Sequence, residues 1–341
     1  MFTNPAETVG WLGAVQSQDY AGAKWAVGQR TRGTNEALVE QACTDGMILR
    51  THVMRPTWHF VTPADIRWML LLTAPRVHAL NAYYYRQNEL DAPLLRRCTD
   101  IIVEALRGGN QLTRTELAEI LAQSGIVASG LRLTCIMMYA ELEAVICSGA
   151  MRGKQFTYAL IDERAPAVPS LSRDEALAEL IRRYFRSHGP ATIKDFVWWS
   201  GLTVADANTG VDMVKSEFQS EIIDSKTYWF SAVASVTPPV DPICYLLPNY
   251  DEALASYEDR TASTASEYLQ RWNGEGNVLA HHLVFDGRLA GSWQRTFKRR
   301  TVILEVRPFS ALTPPQERAL EAAAECYRDF LGMASLEMVR S

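Results

Sequence analysis

The sequence lacks the features of several protein classes. No stretch of its 341 residues approaches the roughly 18 uncharged apolar residues that a membrane span needs, and the first residues lack the basic-then-apolar pattern of a secretory signal. We therefore expect no membrane association and a cytoplasmic location. The six cysteines stand singly, without CxxC pairs or a histidine at ligand spacing. This spacing predicts buried, reduced thiols, and we expect no metal or other cofactor.

The sequence also lacks an excess of positive charge. Its 34 basic and 39 acidic residues give a formal net charge of -5, whereas domains that hold nucleic acid through bulk electrostatics are basic. Any DNA-binding role must therefore depend on a local patch. A run of basic residues can equally be a solvated face. The two candidate clusters are Arg30 and Arg32 near the N-terminus, and Arg295, Lys298, Arg299 and Arg300 near the C-terminus.

Three parts of the chain show a similar order of predicted elements. Thr113 with Glu116, and Thr192 with Asp195, form capping boxes that each begin a helix. In the first part, a helix is predicted at 35–46 and strands at 47–53 and 57–61. In the second part, helices are predicted at 113–124 and 129–148 and a strand at 154–160. In the third part, helices are predicted at 192–201 and 204–218 and strands at 221–224 and 228–232. Helices closed by a two-stranded wing form a winged helix-turn-helix, so residues 1–230 are interpreted as tandem copies of that unit.

The C-terminal part changes in character to antiparallel strands, with Asp286-Gly287 as a tight hairpin turn. Its predicted strands are 243–247, 278–285, 288–296 and 301–306, followed by a helix at 314–331. We therefore predict an α+β fold of tandem winged helix-turn-helix units with a C-terminal antiparallel β-rich portion. The predicted units are 1–95, 96–165 and 173–237, with a proline-containing linker at 162–172, and the β-rich portion is 238–341.

Two amides stand close together in an otherwise apolar N-terminal segment of small residues. Buried polar side chains need partners. In an extended segment Gln16 and Gln18 point to the same side, where their amides could converge on one ligand, water or base edge. A glutamine pair that only satisfies nearby backbone groups is the alternative interpretation.

Residues 15–20 resemble the Gln-x-Gln signature of the AlkZ/YcaQ family of tandem winged-helix DNA glycosylases, in its AlkZ-like branch. Further landmarks follow in the family's order. Arg55-Pro-Thr57-Trp-His59 is similar to its Arg-x-Thr-x-His strand. Residues 188–192 and 195–201 are similar to its Gly-Pro-x-Thr and Trp-Ser-Gly helix, 246–252 with 259–260 to its Leu-Leu-Pro-x-x-Asp-Glu segment, and 286–293 to its late hairpin. Ser17 stands where the family usually has a hydrophobic residue.

The resemblance implies three tandem winged helices around a concave basic channel, and excision of bases from double-stranded DNA without a metal. A glutamine amide has no titratable acceptor near neutral pH, so Gln16 and Gln18 would hold a water and the sugar or base edge. N7-alkylation already weakens the glycosidic bond of a purine, so positioning and preorganised dipoles suffice. We predict a monomeric DNA glycosylase that removes N7-alkylpurines or bulky or cross-linked bases.

The predicted catalytic residues are Gln16, Gln18, Asp19 and His59. For Asp19, a charge-stabilising role and a structural one, as a helix cap or a partner of Arg30 or Arg32, are both open. His59 would face the site only if its strand borders it. The predicted DNA-binding residues are Arg30, Arg32, Arg55, Arg295, Lys298, Arg299 and Arg300. Asp251 and Glu252 are interpreted as structural, and Tyr83 to Tyr85, Trp198 and Trp199 as core aromatics that could otherwise stack on bases.

Two other classes of function remain as alternatives: a non-catalytic winged-helix regulator and an interaction scaffold. A regulator needs a basic recognition helix, but the predicted helix at 129–148 carries only Arg132 as a cation. A scaffold would tolerate the loss of Gln16, Gln18 and the 295–300 cluster without consequence.

Overall fold

The first part of the chain consists of a helix, a short strand, two helices and a β-hairpin. The computed structural model describes residues 2–167, 169–232, 240–265, 268 and 281–340. The elements of the first part are α1 (Pro5–Leu12), β1 (Val15–Gln16), α2 (Tyr20–Gly28), α3 (Glu36–Thr44), β2 (Leu49–His52) and β3 (Trp58–Val61). Both strand pairs are antiparallel, and the sheet order is β1-β3-β2.

The second part repeats this topology after a long connecting helix, α4 (Ile66–Gln87). Its sheet order, β4-β6-β5, corresponds to that of the first part. The elements of the second part are α5 (Ala92–Leu106), β4 (Leu112–Thr113), α6 (Arg114–Gln123), α7 (Gly130–Leu142), β5 (Ile146–Ser148) and β6 (Thr157–Leu160).

The third part has the same order, with a single paired residue in place of the first strand. Ala191 pairs with Trp229 in an isolated bridge. The elements, after the short helix α8 (Ile161–Arg164), are α9 (Arg173–Ser187), α10 (Ile193–Ser200), α11 (Val204–Val214), β7 (Gln219–Ile223) and β8 (Lys226–Phe230). This threefold order of helix, strand, two helices and wing is the topology of tandem winged helices. The unit boundaries given above stay a prediction.

The helix starts follow from local sequence. Both predicted capping boxes form: the Thr113 and Thr192 side chains each cap the N–H of the acidic residue three positions later. Asn35 caps α3 by accepting a hydrogen bond from the Leu38 N–H at 2.9 Å. Such caps satisfy N–H groups that have no partner within the helix.

The C-terminal part is a five-stranded sheet with one long helix. Its elements are β9 (Cys244–Leu247), α12 (Glu252–Ala255), β10 (His281–Phe285), β11 (Arg288–Lys298), β12 (Thr301–Pro308), α13 (Pro314–Leu331) and β13 (Ser335–Arg340). The order is β13-β12-β11-β10-β9, antiparallel except that β13 pairs parallel with β12. The predicted C-terminal antiparallel portion is thus confirmed for β9 to β12. Residues 278–280 of the predicted strand, and the predicted boundary at 238, lie outside the described residues.

The hydrophobic cores show how the parts are joined. One core combines residues of β2 and α4 with α9, α10 and α11. A second combines α1, α2 and α3 with the C-terminal sheet and α13, and a third contains mainly the second part. The first part therefore lies between the third part and the C-terminal sheet, and β1 is at their junction.

Several predicted elements differ from the observed ones. The helix predicted at 129–148 ends at Leu142, because Ala144 has a positive φ of 57° and the buried Ile146 and Cys147 form β5. The helix predicted at 204–218 ends as an α-helix at Val214. Cys326 is exposed, so the prediction of buried thiols holds only for the other five. Among the described residues, no helix is both long and apolar enough to cross a membrane.

Candidate active site

Gln16 lies at the junction of the first part with the C-terminal part. Its side chain is buried, and only 8% of the residue is exposed. Its backbone N–H donates to Glu252 Oε1 at 2.8 Å, and Arg55 Nη2 donates to its Oε1 at 3.1 Å. Because a guanidinium only donates hydrogen bonds, the carbonyl end of the amide faces Arg55 and the NH2 end faces away. Arg55 thus orients the side-chain amide, and Glu252 holds the backbone of Gln16.

Gln18 has a different environment from Gln16. The strand β1 ends at Gln16, the chain bends, and Gln18 is exposed. The regular strand is shorter than the extended segment expected, because the chain bends at Gln18. The Ser17 N–H still donates to Trp58 O on β3, and the Ser17 carbonyl accepts from Arg50. The Trp58 N–H lies 3.4 Å from Gln18 Oε1, a long hydrogen bond. Both amides nevertheless contact the β2–β3 hairpin.

A row of buried polar side chains crosses the first sheet at Gln16. Gln16, His59 and Thr51 lie directly opposite one another on β1, β3 and β2, and therefore share one face of the sheet. His59 Nδ1 lies 2.9 Å from Thr57 O, so Nδ1 carries the proton and Nε2 is an acceptor. Burial, followed by the charge of Arg55, lowers the pKa of His59 to about 3, so the imidazole is neutral at physiological pH.

Four buried polar atoms in this region have no hydrogen-bond partner among the described residues. They are Thr51 Oγ1, Arg55 Nε, Thr57 Oγ1 and His59 Nε2. Nearly all buried polar groups in proteins are satisfied, so a group of exceptions indicates a place for a ligand or an ordered water. We call Gln16 with these four residues the polar cluster.

Glu252 is a buried carboxylate that holds the backbone of the polar cluster. In addition to the Gln16 N–H, it accepts hydrogen bonds from Trp199 Nε1 at 3.0 Å and from Ser256 Oγ. Its Oε2 lies 3.6 Å from His188 Nε2. Burial raises the pKa of Glu252, but His188, Ser256 and the Gln16 N–H outweigh burial and lower it to about 2. The carboxylate is therefore ionised. The sequence interpretation as structural did not foresee its contact with Gln16, which the resemblance of residues 246–252 could have suggested.

Asp19 caps a helix and forms an ion pair. Its Oδ1 accepts from the Gly22 N–H at 3.0 Å at the start of α2, and its Oδ2 lies 3.3 Å from Arg295 Nη2. The helix cap is therefore confirmed, and a charge-stabilising role of Asp19 stays a prediction. The predicted ion-pair partners Arg30 and Arg32 were wrong, because the C-terminal sheet brings Arg295 closer than either of them.

The two N-terminal basic residues have different surroundings. Arg30 makes a bidentate ion pair with the buried Asp251, at 2.7 and 3.0 Å. A buried carboxylate without a cation would be costly, so this pair holds residue 251 and the adjacent Glu252 in place. Arg32 is exposed. Direct contact of either residue with DNA stays a prediction.

The tip of the β11–β12 hairpin carries the C-terminal basic cluster. Lys298, Arg299 and Arg300 are all exposed there, and Arg299 forms the turn with a positive φ of 54°. Phe297, before them, is 51% exposed. Arg295 is separate from this tip because it binds Asp19. The predicted cluster therefore divides into three exposed cations and one engaged arginine.

The predicted aromatic candidates are also divided. Trp199 is fully buried and contacts Glu252, as expected for a core residue. Trp198, the neighbouring residue on α10, is 45% exposed, and Tyr83 and Tyr84 are exposed on α4. A role in stacking on bases stays a prediction for these three.

Comparison with known proteins agrees with this architecture. A family model described as "DNA glycosylase AlkZ-like" matches residues 9–330. The chain belongs to the AlkZ-like DNA glycosylase family. It is 27% identical over 307 residues to a protein of Streptomyces sahachiroi named "Interstrand DNA cross-link repair glycosylase". The alignment covers 85% of this chain and 81% of that protein. It also has the fold of the solved Streptomyces sahachiroi DNA glycosylase AlkZ, with a TM-score of 0.81, 20% identity and coverage of 100% of this chain and 94% of the other.

Membership in this family makes the protein a DNA glycosylase, a hydrolase that acts on N-glycosidic bonds in DNA. The predicted resemblance and enzyme class are confirmed. The regulator alternative also lacks structural support, since α7 buries Leu133, Ile136 and Met137 and carries no exposed row of cations.

Proposed function

We propose that this enzyme removes alkylated purines, including N7-alkylated, bulky and cross-linked bases, by water-mediated cleavage of the glycosidic bond. The polar cluster is the observation that carries the proposal. It combines an oriented glutamine amide with four unsatisfied buried polar atoms, on one face of the first sheet and in the adjoining β2–β3 loop. The name of the Streptomyces relative supports the inclusion of cross-linked bases.

The two glutamines act as hydrogen-bond donors to the reacting groups. Their carbonyl ends are held by Arg55 and by the Trp58 N–H, so their NH2 groups are available to the water oxygen and to the sugar or base edge. An amide cannot remove a proton from the water near neutral pH. The leaving group is an alkylated purine that already carries positive charge, so positioning provides the required rate enhancement.

Glu252 contributes electrostatically rather than by contact. Its ionised carboxylate binds the Gln16 N–H and is fixed by Trp199 and Ser256. A fixed buried anion beside the reacting sugar lowers the energy of an oxocarbenium-like transition state, because the effective dielectric constant there is low and no reorganisation is needed. His59, neutral and fully buried, contributes an acceptor at Nε2.

DNA is held by exposed cations outside the polar cluster. The hairpin tip with Lys298, Arg299 and Arg300 presents three positive charges and the exposed Phe297 ring, a combination suited to phosphates and a base step. Arg30 supports the site indirectly through Asp251.

Single-turnover excision of N7-methylguanine from a duplex tests the proposal, with alkaline cleavage reporting abasic sites. We expect Gln16→Ala to reduce the rate by about 10²-fold, as for other preorganised donors, and Gln18→Ala to reduce it less because Gln18 is exposed. The matched control is Gln123→Ala, at the exposed end of α6. Unaltered duplex binding must accompany the loss. The proposal is wrong if wild-type protein releases neither N7-methylguanine nor a bulky or cross-linked purine.

A further inference from the structure

Arg50, on β2, is a buried cation without an acidic partner. It is 7% exposed, and its guanidinium donates to the Ser17 carbonyl at 3.1 and 3.3 Å and lies 3.3 Å from the Ser17 hydroxyl. No carboxylate of the described residues lies within 4.0 Å of it. Burial lowers its pKa to about 10, and the charge of Glu141 acts in the opposite direction. Its hydrogen-bond partner Ser17 is neutral, so no directly bonded anion of the described chain compensates its charge.

Aromatic rings hold this guanidinium in a fixed position. Its central carbon lies 4.1 Å from the ring centre of Trp58, 4.5 Å from that of Phe156 and 5.8 Å from that of Tyr20. Rings stabilise a desolvated cation through their negative faces, but only partially replace a counter-ion. Arg50 is therefore held rigidly while its charge remains available to an anion.

Arg50 and Trp58 line an open cavity of about 370 Å³ with two further cations, Arg114 and Lys154. Arg114 donates to Gly130 O at 3.2 Å and to the Thr134 hydroxyl at 2.6 Å, both neutral acceptors. Lys154 is exposed. Within the described chain, neither Arg114 nor Lys154 has a carboxylate within 4.0 Å.

The charge of Glu116, which is next to the lining residue Thr115, is already compensated. Glu116 belongs to the capping box of α6 and is paired with Arg152 at 2.6 Å. We call the cavity the Arg50 pocket; its members are Arg50, Trp58, Thr113, Arg114, Thr115, Lys154, Gln155, Phe156 and Tyr158.

We propose that the Arg50 pocket binds a phosphate of the DNA strand next to the nucleotide that is excised. Three cations without acidic partners surround one cavity, and a guanidinium is well suited to phosphate oxygens. The rings of Trp58 and Phe156 line the same cavity and offer a surface for the adjoining sugar or base. The inference rests on the proposed function for the position beside the excised nucleotide, whereas phosphate binding itself requires only that the protein binds DNA.

The position of the pocket links phosphate binding to the catalytic segment. Ser17 lies between the two glutamines and is the hydrogen-bond acceptor for Arg50, while the Trp58 N–H contacts Gln18. A phosphate bound to Arg50 therefore fixes the Gln-Ser-Gln segment from the side opposite Glu252. The family usually has a hydrophobic residue at the position of Ser17. Here the Ser17 hydroxyl adds a hydrogen-bond acceptor for Arg50.

The test measures how the affinity for DNA depends on salt, with a duplex that carries a stable abasic-site analogue. Each phosphate contact contributes about 0.9 to the slope of log affinity against log salt concentration. We expect Arg50→Met and Lys154→Met each to reduce the slope, by at most about that amount, because both cations contact the same phosphate. The matched control is Lys215→Met, an exposed lysine paired with Asp212, which should leave the slope unchanged. Lys154 is exposed, so its variant keeps the test valid even if Arg50→Met does not fold.

The outcomes separate this inference from the proposed function. If the wild-type protein excises the base but Arg50→Met and Lys154→Met leave the slope unchanged, the pocket does not bind a DNA phosphate. The glycosylase proposal then remains intact. Reduced slopes without any wild-type excision support the pocket and overturn only the proposed function. Inorganic phosphate is then titrated against wild type and Arg50→Met without DNA. Arg50-dependent binding of inorganic phosphate with unchanged DNA slopes means that the pocket takes a free phosphate, and it overturns the assignment to the strand.

Discussion

Replacing Glu252 with glutamine tests the buried junction that fixes Gln16. The two carboxylate oxygens accept from two donors that cannot rotate away: Oε1 from the Gln16 backbone N–H and Oε2 from Trp199 Nε1. A glutamine side chain has only one oxygen, so in either orientation its NH2 group faces one of these N–H donors. The Ser256 hydroxyl can turn and adapt, but a backbone amide and an indole cannot.

The structure allows an order of magnitude for this substitution. One buried donor left unsatisfied costs about 1–3 kcal/mol, and the remaining hydrogen bonds lose the strengthening that an ionised acceptor provides. Removal of one partner of a buried ionic network typically costs about 3–5 kcal/mol. We therefore expect Glu252→Gln to lower the free energy of unfolding by about 3–5 kcal/mol and to slow excision, since Gln16 loses its fixed position.

Urea unfolding at pH 7, followed by tryptophan fluorescence, gives the measurement. The matched control is Glu104→Gln, an exposed residue paired with Arg107, which should change stability by less than about 0.5 kcal/mol. A loss below about 1 kcal/mol for Glu252→Gln would refute the argument, because it would mean that the carboxylate is not needed to satisfy these donors. The pKa of Glu252 is lowered to about 2 in the folded protein. The stability that its carboxylate contributes is therefore fully present above pH 4.5 and is lost as the pH falls towards 2.

Two further predictions concern pH and backbone geometry. Burial lowers the pKa of His59 and His282 to about 3 and that of His281 to about 4, so the unfolded chain binds more protons below pH 6.5. Each histidine should reduce stability by about 1.4 kcal/mol per pH unit as the pH falls from 6.5 towards these values; a flat profile between pH 7 and 5 in urea titrations would contradict this. Gly201→Ala should destabilise by at least about 1 kcal/mol, because φ is +71° and the new Cβ would lie 2.7 Å from a backbone oxygen of the β2–β3 loop. Gly332→Ala, with φ of +64° and open space, is the control in thermal unfolding; equal losses in both variants would show that the close approach is unimportant.

Most elements with strong local signals were predicted correctly. The capping boxes of α6 and α10, the Asp286-Gly287 turn and the alternating strands of the C-terminal sheet depend on neighbouring residues, which the sequence displays directly. The helices α1, α2, α4 and α5 were not predicted. α4 contains Pro75 in its interior, and its stability comes from packing against α7 and α9, which no local pattern reveals.

The candidate site shows the same division. Gln16, Arg55 and His59 were selected from their motifs, and the structure places them together. Arg50 was not selected, because a single arginine in a strand has no local feature that shows whether an acidic partner is nearby.

The sequence by itself determined the repeated winged-helix order, the family and the glutamine pair, because capping, alternation and motif spacing are local properties. Tertiary structure alone decided which charges are compensated. It brought Asp251 to Arg30, Asp19 to Arg295 and Glu252 to the Gln16 backbone, across more than 200 residues in each case. Among the described residues, it also left Arg50 without a carboxylate within 4.0 Å. The physical reason is that the energy of a charge depends on its distance from other charges and from water, and the fold sets both distances.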